Sequence, residues 1–261
     1  YATRDIATVK HRIQNYQPAE IIYVVDYAQK LHFQQFFTAS KRFDWYTAET
    51  KLTHLPFGRM SFKHGAMSTR KGQMITLRHV IEKATEKILE IIEVKNPDLA
   101  NKKEVARKIG VGAVKYSILS ITPGKDIIFD WDQVLNFEGN SGPYLQYSYA
   151  RACSILEKIP AEQLATHPQK IELNSYEQTI IKKVAHFKQT LRSAKQNSRP
   201  GILCTYLYEL AQDFTRFYTN CPVLSAPTAD LIAQRVQILK LLQTTMSQGL
   251  ELLGIELVEK M

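Results

Sequence analysis

Cysteine is scarce: Cys153, Cys204 and Cys221 are the only three in 261 residues, an odd number with no Cys-x-x-Cys spacing. Neither a disulfide framework nor a zinc ribbon is supported, and a reducing cytoplasmic location is expected. Long apolar runs are missing as well. None approaches the ~20 residues that cross a bilayer, and Tyr1-Ala2-Thr3-Arg4-Asp5 has no apolar signal core, so no membrane partner is expected. The sequence also opens without Met, which reads as a piece of a longer chain. The histidines show neither His-Glu-x-x-His nor any paired spacing, so no protein-held metal is expected. No Gly-x-x-x-x-Gly-Lys-Ser/Thr loop occurs, which excludes P-loop phosphate chemistry. The lack of an internal repeat argues against a solenoid.

Carboxylates are the minority charge, 25 Asp and Glu against 34 Lys and Arg, leaving a formal +9. That balance suits a polyanionic partner without naming one. A hydrophobic fraction of 44% over this length supports packed cores, and two domains.

In residues 5–16, Ile6, Val9 and Ile13 share one helical face, and Ile21-Ile22-Tyr23-Val24-Val25 reads as a strand. A continuous apolar run suits a parallel strand covered on both faces, and a helical pattern follows over 29–41. This is the order of a doubly wound nucleotide-binding sheet, whose ligands sit beyond the carboxyl ends of its strands, here residues 26–32. Helices are predicted over 76–94 and 101–121, then a brief strand over 127–129. Gly139, Gly142 and Pro143 break the pattern, and Pro143 suits the first turn of a helix running to about 159. Helical periods over 175–193, 201–220 and 228–253 complete a bundle. The fold class is mainly α with a partial α/β layer, divided near Phe137 into domains 1–136 and 137–261.

Gly65-Ala66-Met67-Ser68-Thr69-Arg70-Lys71-Gly72 is a cationic, hydroxyl-bearing loop bounded by glycines, with Lys63 and His64 just before it. Glycines allow sharp turns and close backbone approach, so the segment suits a polyphosphate. Met67 to Gly72 resembles the second signature of class I aminoacyl-tRNA synthetases, Lys-Met-Ser-Lys-Ser, in the Met-Ser-Thr-Arg-Lys-Gly form of arginyl-tRNA synthetases. Tyr1-Ala2-Thr3-Arg4-Asp5-Ile6-Ala7, Phe129-Asp130-Trp131-Asp132 and Phe137-Glu138-Gly139-Asn140-Ser141-Gly142-Pro143-Tyr144-Leu145-Gln146-Tyr147 resemble the same family, in the same order. Two departures stand out: Ala66 and Thr69 replace the signature lysines, and no His-x-Gly-His, the first class I signature, occurs.

The resemblance implies the last part of a class I Rossmann-like catalytic domain followed by an all-α anticodon-binding bundle. It implies ATP-dependent ligation of L-arginine to its tRNA through arginyl-AMP, with Mg2+ accompanying ATP, no tightly bound cofactor and a monomeric enzyme, this segment alone being inactive. Ser68, Arg70 and Lys71 are the candidate catalytic residues, because charge building on the leaving phosphates must be neutralised. Met67, Ser68, Lys71 and His32 are the expected ATP contacts. A guanidinium needs carboxylates and planar acceptors, and the family match gives Tyr1, Asp5 and Gln29 as the arginine site. For RNA, whose loop bases splay onto aromatic rings, Tyr144, Tyr147, Tyr218 and Met261 match anticodon-contact positions, with Arg151 close by. Asp130 and Asp132 are read as turn or cap residues. Two other readings remain open: a class I synthetase for cysteine or methionine, and a noncatalytic RNA-binding protein of the same fold.

Overall fold

The computed structural model describes residues 1–63, 76–160 and 172–261, so the signature loop, with Met67, Ser68, Arg70 and Lys71, lies outside the described residues. The chain divides into two compact units, 1–61 with 122–128, and 62–121 with 129–261.

In the first unit, α1 (Ala2–Tyr16) leads to β1 (Glu20–Asp26), a turn of 3-10 helix (Tyr27–Gln29), α2 (Lys30–Ser40) and β2 (Lys51–Phe57). β1 and β2 pair in parallel, from Glu20 opposite Lys51 to Asp26 opposite Phe57. Val9 and Ile13 of α1, Ile21 of β1, and Phe33 and Phe36 of α2 form one core, with Tyr23, Val25 and Leu52 packed against it. Strand side chains alternate between faces, and both helices lie on the Ile21 face. Ile22 and Val24 on the other face are therefore 50% and 62% exposed. Within this chain the strand is covered on the Ile21 face.

The second unit is built around helices. α3 (Leu77–Lys95) and α4 (Lys102–Leu119) pack through Val80, Ala84, Ile88 and Ile92 on one side and Ala106, Ile109 and Ala113 on the other, all buried. The remaining helices are α5 (Trp131–Val134), α6 (Gly142–Glu157), α7 (Ser175–Ala185), α8 (Phe187–Gln196), α9 (Gly201–Asn220) and α10 (Ala229–Leu252). Tyr116 of α4, Leu145 of α6, Leu207, Leu210 and Phe214 of α9, and Leu239 and Met246 of α10 belong to one core, which α7 and α8 also join. The short strands β3 (Met60–Phe62) and β4 (Ile127–Phe129) pair with each other. Asp130 caps α5, its Oδ1 accepting the Asp132 N–H at 3.1 Å, and it pairs with Lys63 at 2.6 Å. That capping is the role read for it from sequence.

The Phe137–Tyr147 motif has a mechanical explanation. Ser141 Oγ accepts the Tyr144 N–H at 3.2 Å and caps α6, with Pro143 in its first turn. Asn140 Oδ1 accepts the buried Tyr116 hydroxyl at 2.5 Å. A Cβ on Gly142 would stand 2.7 Å from the Gly112 carbonyl oxygen of α4, so only glycine permits this helix crossing. Gly142→Ala should destabilise the helical unit by about 1–3 kcal/mol through overpacking against backbone. The check is a lower denaturant midpoint with an unchanged slope.

One predicted helix, 175–193, is divided into α7 and α8 at His186. Its Nδ1–H donates to the Lys182 carbonyl at 2.6 Å, competing with the backbone for that acceptor.

Candidate amino-acid site and RNA-binding surface

Asp5 lies in the first turn of α1, where a carboxylate is favoured by the unsatisfied N–H groups. His32 lies in the first turn of α2, its ring packed 5.3 Å from that of Phe36 one turn further on. The His32 Nε2–H donates to Asp5 Oδ2 at 2.7 Å. Both side chains keep about a third of their surface in water, 37% for Asp5 and 32% for His32. Asp5 thus retains lone pairs for a further donor such as a guanidinium.

Tyr1 precedes α1 and is fully exposed, its carbonyl accepting the Asp5 N–H at 3.1 Å. Gln29 is exposed at the start of α2. At the end of β1, Asp26 Oδ1 accepts the Ala28 N–H at 2.7 Å and turns the chain into the segment bearing Gln29 and His32. The structure therefore joins Asp5 to His32 directly, while Tyr1 and Gln29 stand at exposed helix starts. The Asp5–His32 pair is separated by 27 positions, and no short-range periodicity announces it.

In the helical unit, a cavity of about 560 Å³ is lined by Tyr144, Tyr147, Arg151, Thr215, Asn96 and Met261, among others. α6 positions three of these on successive turns, since Tyr144, Tyr147 and Arg151 follow i, i+3, i+7 spacing. The Tyr144 hydroxyl bonds with Thr215 Oγ1 at 3.2 Å, and its ring meets Tyr208 edge-on at 5.7 Å. Arg151 donates to the Tyr147 hydroxyl at 2.5 Å. Its guanidinium lies 4.7 Å from the Tyr147 ring centroid and 5.1 Å from that of Tyr218, a cation–π arrangement on two rings.

Tyr218 is 45% exposed near the end of α9. Met261 is held by the Asn96 side chain, which donates to its carbonyl oxygen at 3.1 Å. The segment leading to Met261 is tied down by Gln146 Nε2 donating to the Glu256 carbonyl at 2.8 Å, by Arg107 on the Glu256 carboxylate at 2.9 Å, and by the Lys260–Glu157 ion pair.

Three of the four sequence-derived RNA residues, Tyr144, Tyr147 and Met261, thus line one cavity, and the fourth, Tyr218, shares Arg151 with it. Sequence reasoning missed the joining role of Arg151, Thr215 and Asn96. The Tyr147–Arg151 spacing of one helical turn was the available signal for the first; the other two come from distant helices.

Residues 1–131 match the family model for the catalytic domain of class I (R) tRNA synthetases, and residues 145–261 match that for the DALR anticodon binding domain. This chain belongs to the class I arginyl-tRNA synthetase family. It is 40% identical to an arginine–tRNA ligase of Clostridium botulinum and 37% identical to that of Proteus mirabilis, all of this chain matching 46% of each relative's length. The chain therefore spans about half the length of these relatives. Among solved structures, the Thermus thermophilus arginyl-tRNA synthetase superposes with a TM-score of 0.84 at 32% identity, covering 93% of this chain and 41% of that one. The Plasmodium falciparum enzyme gives 0.82 at 26% identity, covering 100% of this chain and 44% of that one. The family match agrees with the class I catalytic layer and helical anticodon module expected from the motifs. Among the described residues, no helix is long and apolar enough to cross a membrane.

Proposed function

We propose that this chain serves an arginine–tRNA ligase, with residues 1–136 completing the catalytic domain and residues 137–261 reading the tRNA anticodon. The gap between the two family matches, 132–144, supports that division. In the reaction, the arginine carboxylate attacks the α-phosphate of ATP, pyrophosphate leaves, and arginine passes from arginyl-AMP to the tRNA. Asp5 pairs the guanidinium, oriented by His32, while Tyr1 and Gln29 border the substrate and His32 also faces ATP. Ser68, Arg70 and Lys71, with Met67, contact the ATP phosphates and offset the charge that develops on them. Mg2+ arrives with ATP as its counter-ion. The working enzyme is a cytoplasmic monomer.

The observation that carries this reading is the cavity in which Tyr144, Tyr147 and Met261 converge, with Arg151 bridging Tyr147 and Tyr218. The half-buried rings of Tyr144 and Tyr147 and the exposed ring of Tyr218, beside a fixed cation, suit splayed loop bases, each stack contributing about 1–3 kcal/mol. Tyr147→Ala should therefore weaken binding of arginine-accepting tRNA by ~5- to 150-fold. An unchanged affinity in a filter-binding titration would remove the proposed role. Specificity is tested on a polypeptide of the relatives' full length by pyrophosphate exchange. Exchange driven by cysteine or methionine rather than arginine would contradict the arginine assignment.

A further inference from the structure

Between Glu177 and Glu209 the chain carries six cations, Lys182, Lys183, Lys188, Arg192, Lys195 and Arg199, and no carboxylate. One short stretch thus holds +6 of the formal +9. At its centre is α8, whose Phe187 and Leu191 pack against the helical core while Lys188, Arg192 and Lys195 are exposed. With 3.6 residues per turn, these three cations fall within an arc of about 60°, beside the arc that Phe187 and Leu191 bury. None of the three forms an ion pair among the described residues.

Exposed helices ordinarily interleave acids one turn from their lysines, because like charges at that spacing repel. Here Lys188 and Arg192 are one turn apart, Lys195 follows by three, and the protein supplies no carboxylate between them. Among the described residues no carboxylate pairs with these three cations, which leaves them open to an external anion. The neighbouring groove, a cavity of about 650 Å³, does not provide the site: Glu209 and Asp213 line it, and Lys183 is already paired with Glu209 at 2.6 Å. The arrangement also differs from a membrane-surface helix, which presents large apolar side chains to the lipid; here Phe187 and Leu191 are turned to the core.

We propose that the Lys188–Arg192–Lys195 face of α8 is a second RNA contact, binding backbone phosphates independently of base identity. It rests on the RNA-binding role of the helical unit but adds a surface distinct from the tyrosine cavity. Each phosphate contact releases a condensed counter-ion, so the affinity it contributes falls with salt, unlike the contribution of base stacking.

The test is filter binding of an unmodified arginine-accepting tRNA transcript by the 261-residue chain between about 50 and 200 mM salt. Replacing the three together, K188Q with R192Q and K195Q, should reduce the slope of log affinity against log salt by about 2–3. Binding near 0.1 M salt should weaken roughly 100-fold. Arg192→Gln alone, a surface change that leaves the fold intact, should reduce the slope by about 1, and the charge-preserving pair K188R with K195R should leave it unchanged. Tyr147→Ala should weaken binding with its slope retained. A triple variant with the parent slope, while Tyr147→Ala still weakens binding, overturns this inference alone. No tRNA binding by the parent chain overturns the RNA-binding reading and this inference with it. If the triple variant keeps the tRNA slope but loses binding to phosphatidylserine vesicles, the surface is a lipid contact and the inference fails.

Discussion

Arg235→Ala is expected to lower the stability of the helical unit by about 3–5 kcal/mol, because it strands a carboxylate inside the protein. Glu177 is 1% exposed and Arg235 9%. Glu177 Oε1 accepts from Arg235 Nε at 2.9 Å, and Oε2 accepts from the Asn174 N–H at 3.0 Å and Gln234 Nε2 at 3.3 Å. Arg235 also donates to the Pro222 carbonyl at 2.8 Å. The Glu177 N–H returns a bond to Asn174 Oδ1 at 2.9 Å, so the same carboxylate caps α7 and anchors α10. Removing the guanidinium leaves a buried charge with two neutral donors, and removing both charges does not. A double variant, Glu177→Leu with Arg235→Leu, should recover part of the loss. Guanidinium titration of the 261-residue chain checks both: a single variant with the parent midpoint, or a double variant worse than the summed singles, contradicts the account.

Asp5→Asn is expected to weaken arginine use by about 2–5 kcal/mol, ~30- to 5000-fold, the range for deleting one member of a hydrogen-bonded charge pair. The amide keeps the side chain's size and its bond to His32 but removes the charge opposite a group that never loses its own. On a polypeptide of the relatives' full length, the effect should appear in kcat/KM for arginine in pyrophosphate exchange and leave the KM for ATP little changed. His32→Ala should follow in the same direction by a smaller factor, since it orients Asp5 through the 2.7 Å bond. Equal losses for ATP and arginine would place Asp5 in general folding rather than in guanidinium recognition.

Much of the fold could be read because its determinants are local. The stripe Val80, Ala84, Ile88 and Ile92 and the placement of Pro143 in the first turn of α6 are set by neighbours three or four residues away. Local rules failed where a side chain competes with the backbone, as at His186. They failed also at β2, whose Pro56 weakens a strand reading although Pro56 sits opposite Val25 in the parallel ladder. For the candidate sites the sequence named residues but not an arrangement. Tyr144 and Tyr147 could be paired from helical spacing, whereas the approach of Tyr218 to Arg151 and of Asn96 to Met261 depends on how separate helices cross.

By itself the sequence determined the positions of most helices, the cationic balance and the motifs that resemble the arginyl-tRNA synthetase family, because each is carried by composition or by neighbours along the chain. Only the tertiary structure decided that His32 holds Asp5, that Arg151 joins two tyrosines, and that Glu177 is tied to Arg235 across 58 positions. Those partners meet because helix faces packing into a common core bring distant segments together, and no pattern along one segment specifies what stands opposite it.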